Sequence, residues 1–220
     1  MTNEELTRKN EELQAQVEAL DKKVKVYERA VLEMCWALAG TVDAKDPYTN
    51  GHSERVADYT RMLAKKMGIP NEQQKDLYYT ALLHDIGKIG IPNEILNKPT
   101  RLTNEEFQTI RNHTIYGDQI LGRLMSIPSI AIAARSHHER YDGTGYPDGL
   151  KGEDIPLAAR IVAVADSYDA MTSVRTYSGV RPQADVRAEI EKGAGTQFDP
   201  KIAALMLEII DEDKDYEFHA

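Results

Sequence analysis

The chain has 220 residues with 27 basic and 36 acidic side chains, which give a formal charge of −9 at neutral pH. This excess of acid argues against a general duplex nucleic acid-binding protein, which would need a basic surface. The single cysteine, Cys35, leaves no disulfide to form within the chain and fits a reducing compartment. No signal peptide and no apolar run of about 18 residues are present, so we expect a cytoplasmic protein without a membrane segment.

Residues 1–40 carry a heptad repeat. Its d positions are Leu6, Leu13, Leu20, Tyr27 and Met34, and its a positions are Asn10, Val17, Val24, Val31 and Leu38. β-branched residues at a with leucine at d favour a parallel two-stranded coiled coil. The alternative is a long amphipathic helix that folds back onto its own domain, but the period of 3.5 favours the coil. We therefore predict a coiled-coil helix that forms a parallel homodimer and links the chain to an upstream sensor domain.

Residues 41–212 show helical periodicity and little strand-like alternation, which predicts an all-α fold. The expected helices contain Val56–Met67, Asn71–Leu82, Thr103–Ile110 with a Thr103/Glu106 capping box, Ile130–Ala134, a helix that begins near Ile161, and one that starts at Asp199-Pro200. The Gly- and Pro-rich stretch 142–156 predicts a loop longer than most connections, a frequent location of functional residues. Residues 213–220 are predicted to form an acidic tail that frays.

Six histidines are the most informative feature of this region. They are His52, His84, His113, His137, His138 and His219. A carboxylate, Asp166, follows five consecutive apolar residues and is expected at the edge of the core. Each histidine alone is best explained as a hydrogen-bonded structural residue. Buried imidazoles and carboxylates on separate helices can, however, converge on a metal inside a helical bundle.

Three motifs appear in a fixed order along this region. They are His84-Asp85-Ile86-Gly87-Lys88, then His137-His138-Glu139-Arg140-Tyr141-Asp142-Gly143-Thr144-Gly145-Tyr146-Pro147, and finally Gly195-Thr196-Gln197-Phe198-Asp199-Pro200. In this order they closely resemble the HD-GYP domain, a branch of the HD metal-dependent phosphohydrolases. The resemblance covers about residues 41–210, includes Asp46-Pro47-Tyr48-Thr49-Asn50-Gly51-His52-Ser53 at the front, and implies an HD-type helical bundle.

The resemblance also implies a ligand set for two divalent metals. One metal would be held by His52, His84, Asp85 and Asp166, and the second by Asp85, His113, His137 and His138. Asp85 would bridge the two ions, because a carboxylate can offer one oxygen to each. The family most often uses iron or manganese, and zinc or nickel would also suit these ligands. Tyr48 stands where some members have an additional acidic residue for a third metal, so we expect two metals.

The implied activity is hydrolysis of cyclic di-GMP to pGpG and onward to GMP, through a hydroxide shared by the two metals. Asp85 and Lys88 would be catalytic, and Lys88, Arg175 and Tyr146 would contact substrate. The less favoured alternative for Lys88 is a solvated lysine at a helix end, whereas for Tyr146 an anchor of its loop is favoured over stacking on a base. Glu139 and Asp142 are expected to orient His137 or His138, and Asp169 to hydrogen-bond a loop rather than a metal.

Residues 176–179 depart from the family pattern. They read Thr-Tyr-Ser-Gly after Arg175, where the family commonly continues Pro-Tyr-Arg-Lys. Loss of two positive charges near the ligand leaves another cyclic dinucleotide, such as cyclic GMP-AMP, as an alternative substrate. A non-catalytic module that binds the nucleotide, or a protein partner through the Gly-Tyr-Pro loop, is a further alternative.

Overall fold

The computed structural model of this protein describes residues 2–45, 51–124, 126–173, 181–214 and 216–217. Within these ranges the chain forms α-helices and two 3₁₀ helices, and it contains no β-strand, which confirms the predicted all-α class. The α-helices are α1 Asn3–Asp43, α2 His52–Lys66, α3 Asn71–Leu82, α4 Asn93–Leu96, α5 Asn104–Arg111, α6 His113–Leu121, α7 Pro128–Ser136, α8 Leu157–Thr172, α9 Gln183–Gly193 and α10 Pro200–Glu212. The 3₁₀ helices are Ile86–Gly90 and Gly152–Asp154.

The chain divides into two compact units, Met1–Ala37 and Leu38–Ala220. The first unit is a helical arm formed by most of α1, and the seam side chains that lie within it are solvent-exposed. Among the residues that the structure describes, no helix has both the length and the apolarity needed to cross a membrane.

The core of the second unit surrounds α2. This helix packs against α3 and α8, while α6 packs against α7 and the first 3₁₀ helix. Val56 and Leu63 are fully buried, and Tyr59 meets Tyr168 of α8 edge-on with ring centroids 4.8 Å apart. The apolar stripe predicted for α2 is therefore the face that anchors the helix carrying His52 at its first position.

Local signals predicted several helix ends correctly, although α4, α6 and α9 were not predicted. Thr103 and Glu106 form the expected capping box at the start of α5, and the Asp199 carboxylate caps α10. Helix α8 begins at Leu157, four residues before the predicted start, because Pro156 supplies its N-cap and closes the preceding loop. The prediction of a frayed acidic tail is wrong at Asp213, which is buried and accepts a hydrogen bond from the backbone amide of Glu217.

A glycine permits a close backbone contact in the second unit. Gly87 lies in the first 3₁₀ helix and touches α6, where a Cβ atom would overlap the carbonyl oxygen of His113 and come within 2.5 Å of the Gly117 amide nitrogen. Only a residue without a side chain allows this backbone approach. The contact brings the Asp85 turn against the first residue of α6.

We predict that Gly87→Ala lowers the free energy of unfolding by about 1–3 kcal/mol or more, because the added methyl group overpacks a backbone contact. Gly40→Ala is the matched control, since nothing lies within 4 Å of a Cβ there, and this change should stabilise the helix by about 0.5–1 kcal/mol. Urea titrations followed by circular dichroism measure both. Equal midpoints for Gly87→Ala and the wild type would contradict the prediction.

Candidate metal centre

The His84-Asp85 pair occupies a turn between two helices. Helix α3 ends at Leu82, and the chain then enters the 3₁₀ helix, in which the amide of Lys88 donates to the carbonyl of Asp85. An α-helix therefore does not continue through Gly87. Lys88 instead reaches the site as the third residue after Asp85, with its ammonium nitrogen 2.6 Å from Oδ2 of Asp85.

Two groups of candidate ligand atoms meet at Asp85. The first group is His52, His84 and Asp85, and the second is Asp85, His113, His137 and His138. Within each group the ligand atoms all lie within 4.8 Å of one another. Six of the seven residues expected from the sequence are thus brought together from the first residues of α2 and α6 and from the turns after α3 and α7. The seventh, Asp166, belongs to neither group, but its Oδ1 lies 3.4 Å from Nε2 of His52.

Backbone carbonyls orient three of these histidines. Nδ1 of His84 lies 2.6 Å from the carbonyl of Ala81, Nδ1 of His113 lies 2.7 Å from Ile110, and Nδ1 of His137 lies 2.9 Å from Ala134. A carbonyl can only accept, so Nδ1 must carry the proton and Nε2 keeps its lone pair. In each ring this Nε2 lone pair faces the other candidate ligands of its group.

His52 is oriented differently, by a carboxylate. Its Nδ1 lies 2.7 Å from Oδ2 of Asp169, which is buried and also accepts from Nε of Arg55 at 2.6 Å and from the hydroxyl of Ser173 at 2.9 Å. As expected, Asp169 forms a hydrogen bond to a residue just beyond its own helix, Ser173 at the end of α8. Its contact with the candidate ligand His52 was not predicted. A carboxylate behind a histidine is a recurrent second partner in metal sites.

Burial keeps most of the imidazoles neutral. It lowers the pKa of His84 and of His113 to about 4, and it holds the pKa of His138 well below its usual value. Burial alone would raise the pKa of Asp85, but the Lys88 ammonium and the His84 imidazole hold it well below the ordinary range. At neutral pH His84, His113 and His138 are therefore neutral nitrogen donors beside the ionised carboxylate of Asp85. Burial also acts to lower the pKa of His52, but its hydrogen bond to Asp169 and the nearby carboxylates raise that pKa above its usual value.

Two buried atoms in this cluster lack hydrogen-bond partners. They are Nε2 of His84 and Oδ1 of Asp85. In addition, Nε2 of His113 lies only 3.3 Å from Nε2 of His137. Burying acceptors without donors is costly unless a cation satisfies them. These donors therefore fit a divalent metal, and the cluster is compatible with metal binding.

The Gly-Tyr-Pro loop is held by a buried carboxylate. Glu139 accepts from the backbone amides of Asp148, Gly149 and Leu150 at 2.7, 3.0 and 3.1 Å. It therefore fixes the loop and makes no contact with His137 or His138 among its hydrogen bonds in the described chain. Asp142 likewise binds within the loop, to the amide and hydroxyl of Thr144. The expectation that these two carboxylates orient the paired histidines is wrong.

Tyr146 packs beside the second ligand group. Its ring centroid lies 4.9 Å from that of His138, and the guanidinium carbon of Arg111 lies 4.2 Å from the same centroid. The peptide bond between Tyr146 and Pro147 is cis. The tyrosine thus anchors its loop against a candidate ligand, which is one of the two roles expected for it.

The end of α1 contacts both sides of the cluster. Asp43 accepts a hydrogen bond from the hydroxyl of Ser53, the neighbour of His52. The ammonium of Lys45 donates to the carbonyls of Lys88, Ile89 and Ile91 and so closes the end of the first 3₁₀ helix. Sequence reasoning missed both contacts, since neither residue belongs to a motif.

Several predicted positions lie outside the described residues. They are the substrate contact Arg175 with the departure at residues 176–179, Tyr48 at the expected third-metal position, and His219.

Comparison with known proteins agrees with this geometry. The sequence profile of the HD domain family matches residues 37–202. A 3'3'-cGAMP-specific phosphodiesterase 3 from Vibrio cholerae is 42% identical over 170 residues, which cover 77% of this chain and 37% of that protein. A cyclic di-GMP phosphodiesterase from Thermotoga maritima is 41% identical over 186 residues, covering 83% of this chain and 50% of that one. The chain thus spans half or less of the length of these relatives.

The fold also matches solved structures. The crystal structure of the cyclic GMP-AMP phosphodiesterase V-cGAP3 from V. cholerae aligns with a TM-score of 0.65 at 20% identity, over 84% of this chain and 49% of that chain. The family profile and the sequence relatives confirm the HD-GYP resemblance of the three sequence motifs, and the chain belongs to the HD domain family.

Proposed function

We propose that this chain is a metal-dependent phosphodiesterase that hydrolyses cyclic di-GMP to pGpG, and further to GMP. The observation that carries the proposal is the pair of ligand groups that share Asp85, with unpartnered donor atoms at His84 and Asp85. Close relatives named as cyclic dinucleotide phosphodiesterases support the substrate class.

Two divalent ions would be held by the seven residues predicted from the sequence, with Asp166 completing the group of His52 and His84. Iron or manganese suits this mixture of imidazole and carboxylate, and zinc or nickel are alternatives. When bound, such a pair supplies Lewis-acid activation of a phosphate and of a water molecule. The orientation of three imidazoles by the carbonyls of Ala81, Ile110 and Ala134 supports this assignment.

Lys88 is proposed to bind the phosphodiester. Its side chain is 16% exposed, and its ammonium is held 2.6 Å from Asp85, so the charge stays at the centre rather than in bulk solvent. A phosphate oxygen there would accept a charge-assisted hydrogen bond, which is stronger than a neutral one. Arg175 and Tyr146 remain predicted substrate contacts.

Cyclic GMP-AMP is a second candidate substrate. The absence of two basic residues after Arg175 and the relatives named for 3'3'-cGAMP favour it. Cyclic di-GMP and 3'3'-cGAMP offered in one reaction, with products separated by chromatography, would rank the two. Nucleotide binding without any linear product would instead support a non-catalytic module.

We further propose that residues 1–40 form a parallel coiled-coil dimer and link to a sensor domain, ahead of a phosphodiesterase domain at 41–212 and a tail at 213–220. The exposed heptad seam of α1 supports a second copy of this chain as its partner, because a and d residues from two such helices bury one another. A protein partner at the Gly-Tyr-Pro loop and a cytoplasmic location stay predictions.

Asp85→Ala should remove both metals and abolish turnover, since one carboxylate serves both ligand groups. Elemental analysis of the purified variant and chromatography of linear products measure the two effects. Asp76→Ala, at an exposed position on α3, is the matched control and should keep both. Turnover retained by Asp85→Ala would refute the bridging role, and Asp85→Asn repeats the test if the alanine variant unfolds.

Asp169→Asn should weaken metal binding at the His52 group by about 10–100-fold, because the amide cannot hold the His52 ring as the carboxylate does. Competition with a chromogenic chelator measures the affinity. Ser173→Ala is the control, since it removes one hydrogen bond to Asp169 and leaves the contact with His52 intact. Equal affinities for the wild type and Asp169→Asn would exclude the orienting role.

Val17→Asp should convert the proposed dimer to a monomer, because the charge would enter the seam at an a position. Light scattering after gel filtration measures the mass. Ala15→Asp adds the same charge at an exposed f position and should leave the dimer unchanged. A wild-type chain that elutes as a monomer would refute the coil.

A further inference from the structure

We propose that the cavity beside His138 is a nucleobase subsite in which Gln197 and Ser167 read the edge of the base. This inference rests on the proposed function, which it deepens by naming the residues that select the base. The cavity has a volume of about 160 Å³. Its lining includes His137, His138, Asp166, Tyr146, Ser167 and Gln197.

The position of the cavity links it to the proposed chemistry. His137 and His138 belong to the second ligand group, and Asp166 contacts His52 of the first, so a group that fills the cavity lies directly beside the candidate metal centre. Sites for whole drug-sized ligands occupy about 300–1,000 Å³. A cavity of about 160 Å³ therefore suits one ring system and is too small for an entire dinucleotide.

Apart from the candidate ligands, the polar groups at the cavity are Gln197, Ser167, Tyr146, Arg140 and Glu139, and Glu139 is occupied by the loop amides. Nε2 of Gln197 donates to the hydroxyl of Ser167 at 3.3 Å, and among the described residues the amide oxygen of Gln197 accepts no hydrogen bond. The guanidinium of Arg140, a further lining residue, is held within its own loop by Thr144 and Asp142. An amide and a hydroxyl match the alternating donors and acceptors of a base edge better than they match a phosphate.

The backbone holds Gln197 in place. Its carbonyl accepts from the amide of Tyr141 at 3.2 Å, and the carbonyl of Thr196 accepts from Asp142 at 2.8 Å. These bonds fasten the Gln197 segment to the start of the Gly-Tyr-Pro loop. The amide side chain is therefore presented from a fixed backbone, as a residue that discriminates between ligands must be.

Tyr146 lines the cavity but is not the residue that discriminates between bases. Its ring already packs against His138 and Arg111, which fixes its orientation. An aromatic face also accepts any base, because every base has a π-surface. Discrimination between guanine and adenine consequently falls to the amide of Gln197.

The chemistry of the two bases makes the assignment testable. A glutamine amide offers a donor and an acceptor, so it can pair with guanine or with adenine. A carboxylate only accepts, and it can take both N–H donors of the guanine Watson–Crick edge, whereas adenine offers one donor beside an acceptor. Gln197→Glu should therefore shift the preference toward guanine.

The experiment measures the dissociation constants of GMP and AMP by calorimetry with the metal-loaded full chain. Both nucleotides carry the same phosphate, so their ratio isolates the contribution of the base. We expect Gln197→Glu to raise the preference for GMP over AMP about ten-fold, and Gln197→Leu to weaken both by a similar factor. Gln73→Glu, at an exposed position on α3, adds the same charge and should leave the ratio unchanged.

A GMP-to-AMP ratio that is unchanged in Gln197→Glu, with wild-type melting temperature, would overturn the subsite. If that variant melts early, Ser167→Ala takes its place and should weaken binding of both nucleotides, whereas unaltered binding would likewise overturn the proposal. Absence of hydrolysis would refute the proposed function alone, because the ratio of two binding constants does not depend on turnover.

Discussion

A single buried carboxylate organises the centre of this molecule. Asp85 lies within 3.3–3.8 Å of ring nitrogens from His52, His84, His113 and His137, which come from four different parts of the chain. A charge in such a place is strongly destabilised unless cations or donors surround it. Lys88 provides one positive charge at 2.6 Å, and the remaining lone pairs face one another across the cluster. The arrangement is therefore compatible with the binding of divalent metal ions.

Backbone contacts position several members of this cluster. The 3₁₀ helix after Asp85 can approach α6 only because Gly87 has no Cβ, and α6 begins with His113 at that contact. Three of the imidazoles are then oriented by carbonyls three residues earlier in their own segments. Such carbonyls exist at every helix end, where the last ones lack an intrahelical partner. A histidine just after a helix can therefore donate from Nδ1 to such a carbonyl, and this same bond directs its Nε2 away from the helix toward the other ligands.

Sequence patterns predicted what is local and missed what depends on distant packing. The α2 stripe, the capping box at Thr103 and the start at Asp199 follow from neighbours in sequence, and all three are confirmed. The contact between His52 and Asp169 joins residues 117 positions apart, and nothing in either local pattern indicates it. The role of Glu139 was misjudged for a related reason. Because Glu139 is adjacent to His138, it was expected to orient that ring. Neighbouring side chains that follow the end of a helix point in different directions, however, and the Glu139 carboxylate binds the loop amides instead.

The last turn of α1 connects the two halves of the cluster. Asp43 holds Ser53 beside His52, and two residues later Lys45 holds three carbonyls at the end of the helix that follows Asp85. A lysine that donates all three of its protons to backbone acceptors acts as a rigid cap, and breaking it would leave carbonyls unsatisfied. Displacing the end of α1 would therefore disturb the position of His52 and of Asp85 together. Because the same short segment secures ligands of both groups, the geometry of the centre depends on where that helix ends.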